Sequence, residues 1–597
     1  MISRFKKLVA AGLFAAGGFA TVVHAETQPN PKPNPKPNIV VLLVDDAGLM
    51  DFSAFGGEAR MPNIDRLADA GTRFTGYHTS PLCAPSRAML LTGIDNHRTG
   101  IATIPEVLPS EHENAPGYSM SFEEGVETLA DRLRHVGYRT LMTGKWHLGS
   151  AEGDLPNSHG FDRSFALDAS GADNWEQRPY MPYYAAAPWF EDGAPANLPE
   201  DFYSSKFMID KMIDYLDEGE DEPFFAYVAF QAIHIPVQAP REFTDHYEGV
   251  YDDGWHALRT ARWERAKELG LISDEAPMAE MPASARDWDS LSEEDRVWFA
   301  RAMSVEAGML EAMDHHIGRL ISHLASKGEL DNTIFVVTSD NGPEPSDVGQ
   351  IRGAALWRAI SGYQNDLATM GEKGSLVSIG PEWANAAAAP GNLFKFYATE
   401  GGIRVPLIIS GAGIPAGQAI SSFSFVTDIA PTLLDYVGVS VGVDASSGEV
   451  AITGRSLKPV LTGAVSRTYS ADTPVGLEVA GNSALFKGEY KLTRNTPPYG
   501  DNIWRMYNIA HDPGETTDLK EDEPARFAEL MADYDAYASE FGVLAMPEDF
   551  DYLKQILTNT AKKIIAANWP TLLVVGLGLI AIFGLGIRFA WRAANRT

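Results

Sequence analysis

The chain of 597 residues has a single cysteine, and its neighbours make it a candidate for chemistry. Cys83 is followed by Pro85, Ser86 and Arg87, and then by Leu91-Thr92-Gly93. Because one thiol cannot form a disulfide within its own chain, a lone cysteine in an exported protein is inert, intermolecular or chemically special. Further polar motifs along the chain favour the third reading.

Oxygen ligands follow two of the predicted strands. Asp45-Asp46 comes directly after the apolar run Ile39–Val44, and Asp340-Asn341 follows a second run of the same kind. Ligands in open α/β sheets bind beyond the carboxyl ends of the strands, so we expect these side chains to share one rim. An all-oxygen set suits Ca²⁺ or Mg²⁺, whereas zinc prefers histidine or thiolate. The sequence therefore predicts a hard-cation site.

Basic side chains are predicted at the same rim. Lys145 and His147 follow the predicted strand 138–142, and His234 follows the predicted strand 224–230. Three carboxylates around one divalent ion leave excess negative charge, which a set of cations would offset. A metal combined with several cations suits a tetrahedral oxyanion whose charge shifts during reaction. The basic candidates are Arg87, Lys145, His147, His234 and Lys395.

Strands that alternate with helices predict an α/β domain over residues 39–460, built on a large and mostly parallel sheet sandwiched by helices. Within it, Ser121 and Glu124 form a capping-box pattern that predicts a helix to about Val136. Shorter alternating strands follow, including Ala484–Leu492. They predict a smaller C-terminal antiparallel α+β subdomain over residues 461–546.

Both ends carry predicted targeting segments. Residues 1–25 combine a basic start, an apolar stretch and a small-residue cleavage site, as in a secretory signal peptide, and residues 26–38 form a Pro-rich spacer. A juxtamembrane linker is predicted over 547–568. Within residues 569–591, the 17 residues from Thr571 to Ile587 carry no charge and at ~1.5 Å per residue span about 26 Å, which predicts a transmembrane helix. The basic tail 592–597 is then cytoplasmic by the positive-inside rule.

The composition is acidic, with 48 Lys and Arg against 80 Asp and Glu and a net charge of -32. This balance excludes nucleic acid as a partner, because phosphate binding needs a basic surface. Any pocket for an anion must therefore create its own positive field. A hydrophobic content of 45% supports a large folded core.

These motifs together resemble the formylglycine-dependent type I sulfatases of the alkaline phosphatase superfamily, and most of all the long bacterial periplasmic arylsulfatases. Short sequence motifs similar to those of the family occur from Asn38 to about Met546. They are Met61-Pro-Asn-Ile-Asp65, Gly144-Lys-Trp-His-Leu-Gly149, Glu400-Gly-Gly-Ile-Arg404, Thr427-Asp-Ile-Ala-Pro-Thr-Leu-Leu434 and Asp512-Pro-Gly-Glu515. The resemblance implies an alkaline-phosphatase-like fold. It also implies an enzyme on the periplasmic face of the bacterial cytoplasmic membrane, anchored by its C-terminal span.

The resemblance also implies roles for the candidate residues. Cys83 would be oxidised to formylglycine by a maturation enzyme and would face one Ca²⁺, whose ligands are Asp45, Asp46, Asp340 and Asn341. Sulfate and the aldehyde hydrate would contact Arg87, Lys145, His147, His234 and Lys395. In this scheme Asp340 either acts as a base or serves only as a metal ligand.

The expected activity is hydrolysis of small sulfate monoesters, with aryl sulfates foremost. Three alternatives stay open. A phosphonate or phosphate ester hydrolase of the same superfamily would share the motifs, a membrane-tethered binding protein would lack turnover, and a cysteine hydrolase would use the thiol directly. The natural substrate and the oligomeric state are not indicated by the sequence.

Overall fold

The computed structural model describes residues 36–219, 222–349, 353–440 and 448–569, together with Trp591. The predicted signal peptide, most of the predicted spacer, nearly all of the predicted membrane span and the predicted tail lie outside these residues. Among the residues described, no helix has the length and apolar composition needed to cross a membrane.

Sixteen strands are labelled here in chain order. They are β1 (Asn38–Val44), β2 (Gly71–Phe74), β3 (Tyr77–His78), β4 (Arg139–Lys145), β5 (Arg163–Leu167), β6 (Trp189–Glu191), β7 (Ala194–Pro195), β8 (Phe224–Ala229), β9 (Thr333–Ser339), β10 (Leu407–Gly411), β11 (Gln418–Ile420), β12 (Ser424–Phe425), β13 (Val475–Val479), β14 (Asn482–Lys487), β15 (Tyr490–Arg494) and β16 (Arg505–Asn508).

The helices surround the sheets and are labelled in the same way. They are α1 (Pro62–Asp69), α2 (Cys83–Thr92), α3 (Asn96–Thr99), α4 (Leu129–His135), α5 (Ser204–Asp217), α6 (Arg241–Thr244), α7 (Gly254–Glu268), α8 (Glu293–Lys327), α9 (Ala354–Ile360), α10 (Gly380–Ala387), α11 (Glu400–Ile403), α12 (Ile429–Tyr436), α13 (Lys458–Leu461) and α14 (Pro524–Phe541). A further helical stretch covers residues 552–569.

A ten-stranded sheet forms the core, in the order β11-β2-β10-β9-β1-β8-β4-β5-β6-β7. The central strands β9, β1, β8, β4 and β5 are parallel, whereas β10 and β6 run antiparallel to their neighbours. Every residue of β1, β8 and β9 is buried, as expected of parallel strands covered on both faces. The predicted α/β class with a large, mostly parallel sheet is confirmed.

Two local predictions are wrong. The helix predicted from Ser121 begins instead at Leu129, where the Thr128 side chain accepts from the backbone of Asp131. The earlier capping pattern fails because Gly125 takes a φ of 83°, a left-handed backbone that breaks a helix. The single strand predicted over 484–492 is the hairpin of β14 and β15, which turns at Gly488 with a φ of 64°.

The C-terminal region contains the predicted small antiparallel sheet, in the order β13-β14-β15-β16. Leu485 and Leu492 pack with Leu530 and Tyr534 of α14 in a separate apolar cluster. The buried Lys491 ammonium of β15 lies 2.9 Å from Glu400 and 2.9 Å from Glu515. The motifs Glu400–Arg404 and Asp512–Glu515 therefore connect this small sheet to the rest of the fold.

Candidate active site

The carboxyl ends of four parallel strands bring most of the candidate residues together. The register of β1 with β9 places Val44 opposite Ser339, so the residues that follow are neighbours. The backbone N–H of Asp46 accordingly donates to Asp340 Oδ1 at 3.2 Å. All the residues predicted for the site are buried: Asp45, Asp46, Cys83, Arg87, Lys145, His147, His234, Asp340, Asn341 and Lys395.

Cys83 is the first residue of α2, where the positive end of the helix dipole favours negative charge. Its Sγ lies 3.6 Å from Nδ1 of His147. Although burial opposes the shift, Lys145, Lys395 and His147 lower the pKa of the Cys83 thiol. The position therefore favours a negatively charged group on residue 83.

His147 takes a φ of 59°, a left-handed backbone that is costly for a residue with a side chain and recurs at functional sites. Its Nε2 lies 3.8 Å from Oε1 of Glu106, and the Tyr184 hydroxyl donates to the same oxygen. Despite the opposing effect of burial, Cys83 and Glu106 raise the pKa of His147 to about 9. The imidazole thus lies between Cys83 and a carboxylate.

One half of the site is a cluster around Asp45. Lys145 Nζ donates to both carboxylate oxygens of Asp45, at 2.8 and 2.7 Å. Arg87 donates to Asp340 Oδ2 through Nε at 2.8 Å, and its Nη2 lies 3.3 Å from Asp45. These two cations hold the carboxylates of Asp45 and Asp340 in fixed positions beside Cys83.

The other half is a cluster around Asp46. Lys395 Nζ lies 2.9 Å from Asp46 and 2.7 Å from Glu344. His234 Nε2 lies 3.7 Å from Asp46, while its Nδ1 donates to the carbonyl of Ile235 at 2.6 Å. Burial and the nearby lysines lower the pKa of His234, whereas Asp46 and Glu344 raise that of Lys395 against the effect of burial. These shifts favour the charged form of Lys395 and the neutral form of His234.

The residues present fit a hard divalent cation. Oxygen and sulfur atoms of Asp45, Cys83 and Asp340 lie within 4.8 Å of one another. Oδ1 of Asn341 is buried and has no hydrogen-bond partner among the described residues, while its Nδ2 donates to Asp46 at 2.6 Å. Burial also raises the pKa of both Asp45 and Asp46, a sign that their charge is incompletely balanced. Carboxylate and amide oxygens of this kind are the ligands that Ca²⁺ and Mg²⁺ prefer.

Sequence reasoning missed two carboxylates of the site. Glu344 follows the Asp340-Asn341 motif in the same loop, so its position after β9 was an available signal. Glu106 lies in an irregular segment far from any strand end, and no local pattern marks it. The segment of residues 101–118 becomes part of the site only through tertiary packing.

Comparison with known proteins agrees with this geometry. The family model described as Sulfatase matches residues 37–439. An arylsulfatase of Klebsiella aerogenes is 35% identical over 450 residues, which cover 73% of this chain and 92% of that protein. An uncharacterized sulfatase of Schizosaccharomyces pombe is 36% identical over 530 residues, covering 86% of this chain and 95% of the relative.

The fold is also similar to that of solved structures. The crystal structure of Ps i-CgsB in complex with k-i-k-neocarrahexaose aligns with a TM-score of 0.60 and 21% identity, over 87% of this chain and 94% of that one. The chain thus belongs to the sulfatase family of the alkaline phosphatase superfamily and is a sulfuric ester hydrolase.

Proposed function

We propose that this enzyme hydrolyses aryl sulfate esters to a phenol and sulfate, with Cys83 converted to formylglycine and one Ca²⁺ bound. The observation that carries the proposal is the position of Cys83. Its side chain lies at the start of a helix and beside His147. Its sulfur lies within 4.8 Å of carboxylate oxygens of Asp45 and Asp340. A nucleophile, a cation site and a proton acceptor therefore converge at one point.

Conversion of Cys83 to formylglycine would give the bound sulfuryl group a route of release. A cysteine thiolate that accepted a sulfuryl group would hold it without an easy route of release. When residue 83 carries the hydrated aldehyde, one hydroxyl can attack sulfur and deprotonation of the other can expel sulfate. Ca²⁺ held by Asp45, Asp46, Asp340 and Asn341 would neutralise charge on the sulfate oxygens.

The chain's own residues divide the remaining tasks. Arg87 and Lys145 fix the carboxylates of Asp45 and Asp340 and add positive charge where sulfate must bind. His147, 3.6 Å from Cys83 Sγ, is placed to take a proton from the group on residue 83, because conversion of Cys83 removes the thiol whose contact helps to raise the pKa of His147. Lys395 stays protonated and can donate to the leaving oxygen, with His234 beside it to orient that oxygen.

Asp340 fits the role of ligand better than that of base. Its Oδ2 accepts the Nε–H of Arg87 and lies 2.7 Å from Arg87 Nη2, and its Oδ1 accepts the backbone N–H of Asp46. Although burial opposes the change, Arg87 and the two lysines lower the pKa of Asp340. A carboxylate held in this way binds a cation well and accepts a proton poorly.

The first test is turnover of 4-nitrophenyl sulfate and 4-nitrophenyl phosphate by the metal-replete enzyme. We expect a higher kcat/KM for the sulfate, because the carboxylates of the site offset most of the positive charge of its cations, which suits a singly charged ester better than a doubly charged one. Preference for the phosphate would instead indicate a phosphate or phosphonate ester hydrolase. Ligand binding without any turnover would indicate a binding protein.

The second test is the mass of the tryptic peptide Phe74–Arg87. Conversion of Cys83 makes the peptide lighter, because the side chain exchanges H₂S for oxygen. The variant Cys83→Ala should lose turnover and keep its melting temperature. An active enzyme that yields only intact, alkylatable cysteine would overturn the formylglycine proposal and favour thiol chemistry.

The same proposal includes export and a C-terminal membrane anchor. The support is the composition of residues 1–25 and 569–591, which has the features of a signal peptide and of a membrane span. Cell fractionation checks this, since activity should sediment with membranes and be accessible from the periplasm.

A further inference from the structure

A cavity of about 570 Å³ opens beside the nucleophile. Ala84, which follows Cys83, and His147 both line it. Tyr183, Tyr184 and Lys563 line it as well. A cavity of this size accepts a small organic group, and its contact with His147 places that group next to the scissile ester.

Lys563 reaches this cavity because the helical stretch 552–569 packs against the catalytic body. Asn559 Nδ2 donates to the carbonyls of Glu106 at 3.0 Å and Leu108 at 2.9 Å. At the start of the same stretch, the ring of Tyr552 stacks on Phe396 with centroids 4.0 Å apart. The segment predicted as a linker thus contacts both the loop that carries Glu106 and the loop that carries Lys395.

The Lys563 ammonium lies 3.8 Å from the centroid of the Tyr183 ring and 5.8 Å from that of Tyr184. It makes no hydrogen bond or ion pair with any residue that the structure describes. The nearby carboxylates have other partners, since Glu106 accepts from Tyr184 and Asp168 accepts from Gly149. Lys563 is an exposed residue of the cavity wall, and its partial desolvation there lowers the pKa of the ammonium against the opposing charges of Glu106 and Asp168.

We propose that Lys563 is a specificity-determining residue that binds a second anionic group, a carboxylate or a second sulfate, on the organic part of the substrate. This inference rests on the sulfatase activity proposed above and adds the substrate class. The aromatic wall would accept the ring that carries the anion, and Tyr183 orients the ammonium by a cation–π contact. The protein has a net charge of -32, so its surface repels anions. Such a lysine supplies a local attraction for an anionic substrate.

The test compares 4-carboxyphenyl sulfate with its methyl ester, which removes the charge and keeps an electron-withdrawing ring. We expect the full-length enzyme to show a lower KM for the carboxylate. Lys563→Met should raise that KM about tenfold, the usual scale for losing one charge-assisted contact. It should change the KM of the methyl ester and both kcat values by less than about twofold, and Lys563→Arg should retain the preference. Benzene-1,4-disulfate against phenyl sulfate tests the second sulfate in the same way.

Lys562→Met is the matched control, because Lys562 is the adjacent lysine and lies 3.8 Å from Glu113 rather than in the cavity wall. It should leave all four substrates unchanged. Equal loss on charged and uncharged substrates in Lys563→Met, or no preference in the wild type, would overturn the inference. If no sulfate ester is hydrolysed, calorimetry with 4-hydroxybenzoate and its methyl ester still decides it, because tighter binding of the carboxylate must depend on Lys563.

Discussion

At the scale of single residues, two contacts fix the orientation of the His147 ring. This orientation suits the proton transfer proposed for His147. Its Nδ1 faces Cys83 and its Nε2 faces Glu106, which in turn accepts a hydrogen bond from Tyr184. A carboxylate behind an imidazole fixes the ring and its tautomer and stabilises the imidazolium that forms. Glu106 is therefore a positioning residue for the chemistry at residue 83.

We predict that Glu106→Gln lowers kcat by about 10- to 100-fold and leaves KM nearly unchanged, a smaller loss than removal of a general base itself. Tyr184→Phe is the matched control, since it removes one hydrogen bond to Glu106 and keeps the ring. It should lower kcat by only a few-fold. Steady-state kinetics with melting temperatures check this, and a loss of kcat that follows a loss of folding would contradict the positioning role.

The cation site gives a prediction that does not depend on turnover. Four carboxylates, those of Asp45, Asp46, Asp340 and Glu344, face three basic side chains in the described site, those of Arg87, Lys145 and Lys395. Ca²⁺ should therefore raise the melting temperature, and a chelator should lower it. A ligand at 100 times its Kd stabilises the folded state by about 2.7 kcal/mol.

Calorimetric melting with Ca²⁺, Mg²⁺ or chelator measures this shift. Asp45→Asn should abolish the response, whereas Asp252→Asn, at an exposed position remote from the site, should retain it. A larger shift with Mg²⁺ would assign the site to that ion. Equal responses of the two variants would show that the cation binds elsewhere.

At the scale of elements, glycines let three loops approach one another around the site. A Cβ on Gly342 would lie 2.0 Å from the carbonyl oxygen of Gly401. The backbone N–H of Gly342 donates to the carbonyl of Gly402 at 2.8 Å, and the backbone N–H of Lys395 donates to Pro343 at 3.1 Å. The recurring Glu400–Arg404 motif thus supports the loops that carry Asp340 and Lys395 without touching the nucleophile position.

We predict that Gly342→Ala lowers kcat by about 100-fold, because a shift of about 1 Å in a catalytic loop has effects of this size. It should also destabilise the fold by about 1 to 3 kcal/mol through overpacking. Gly153→Ala is the control, since its added Cβ would meet no atom within 4 Å. Crystal structures and kinetics of both variants test this, and wild-type kcat in Gly342→Ala would show that the loops tolerate the shift.

The elements also show what a sequence can and cannot predict. The runs that became β1, β8 and β9 were predictable because strands buried on both faces are apolar throughout. Their ends then predicted where Asp45, His234 and Asp340 meet. Glu106 was not predictable, because its proximity to His147 arises from packing of an irregular segment.

At the scale of the whole molecule, buried charges join the large sheet to the C-terminal region. Glu400 accepts from His78 and lies 2.9 Å from Lys491, and the Glu400 N–H donates to Glu515 at 3.0 Å. A buried ion pair of this kind is costly to break, because removal of one partner leaves an unpaired charge. The segment after β12 therefore supports the catalytic loops from behind rather than forming an independent unit.

A second such connection makes stability depend on pH. His97 of α3 is fully buried, with Nε2 2.8 Å from Glu478 of β13 and Nδ1 3.4 Å from Asp95, which accepts from Tyr537 of α14. Although burial opposes the shift, the two carboxylates raise the pKa of His97 to about 9. An unfolded histidine titrates near ~6.5, so the folded protein binds this proton more tightly.

The sign follows from that difference. The contribution of His97 to stability is fully present below about pH 6.5 and is lost as pH rises through about 9. We expect the loss to be on the order of 3 kcal/mol, since each pKa unit corresponds to about 1.4 kcal/mol. Unfolding between pH 6 and 10 should therefore show a fall in stability that His97→Gln makes smaller by this amount, while His135→Gln, at an exposed position, leaves it unchanged. If His97→Gln lowers stability equally at every pH, the histidine contributes packing alone. The C-terminal region is then held to the large sheet by other ion pairs, such as that of Lys491 with Glu400.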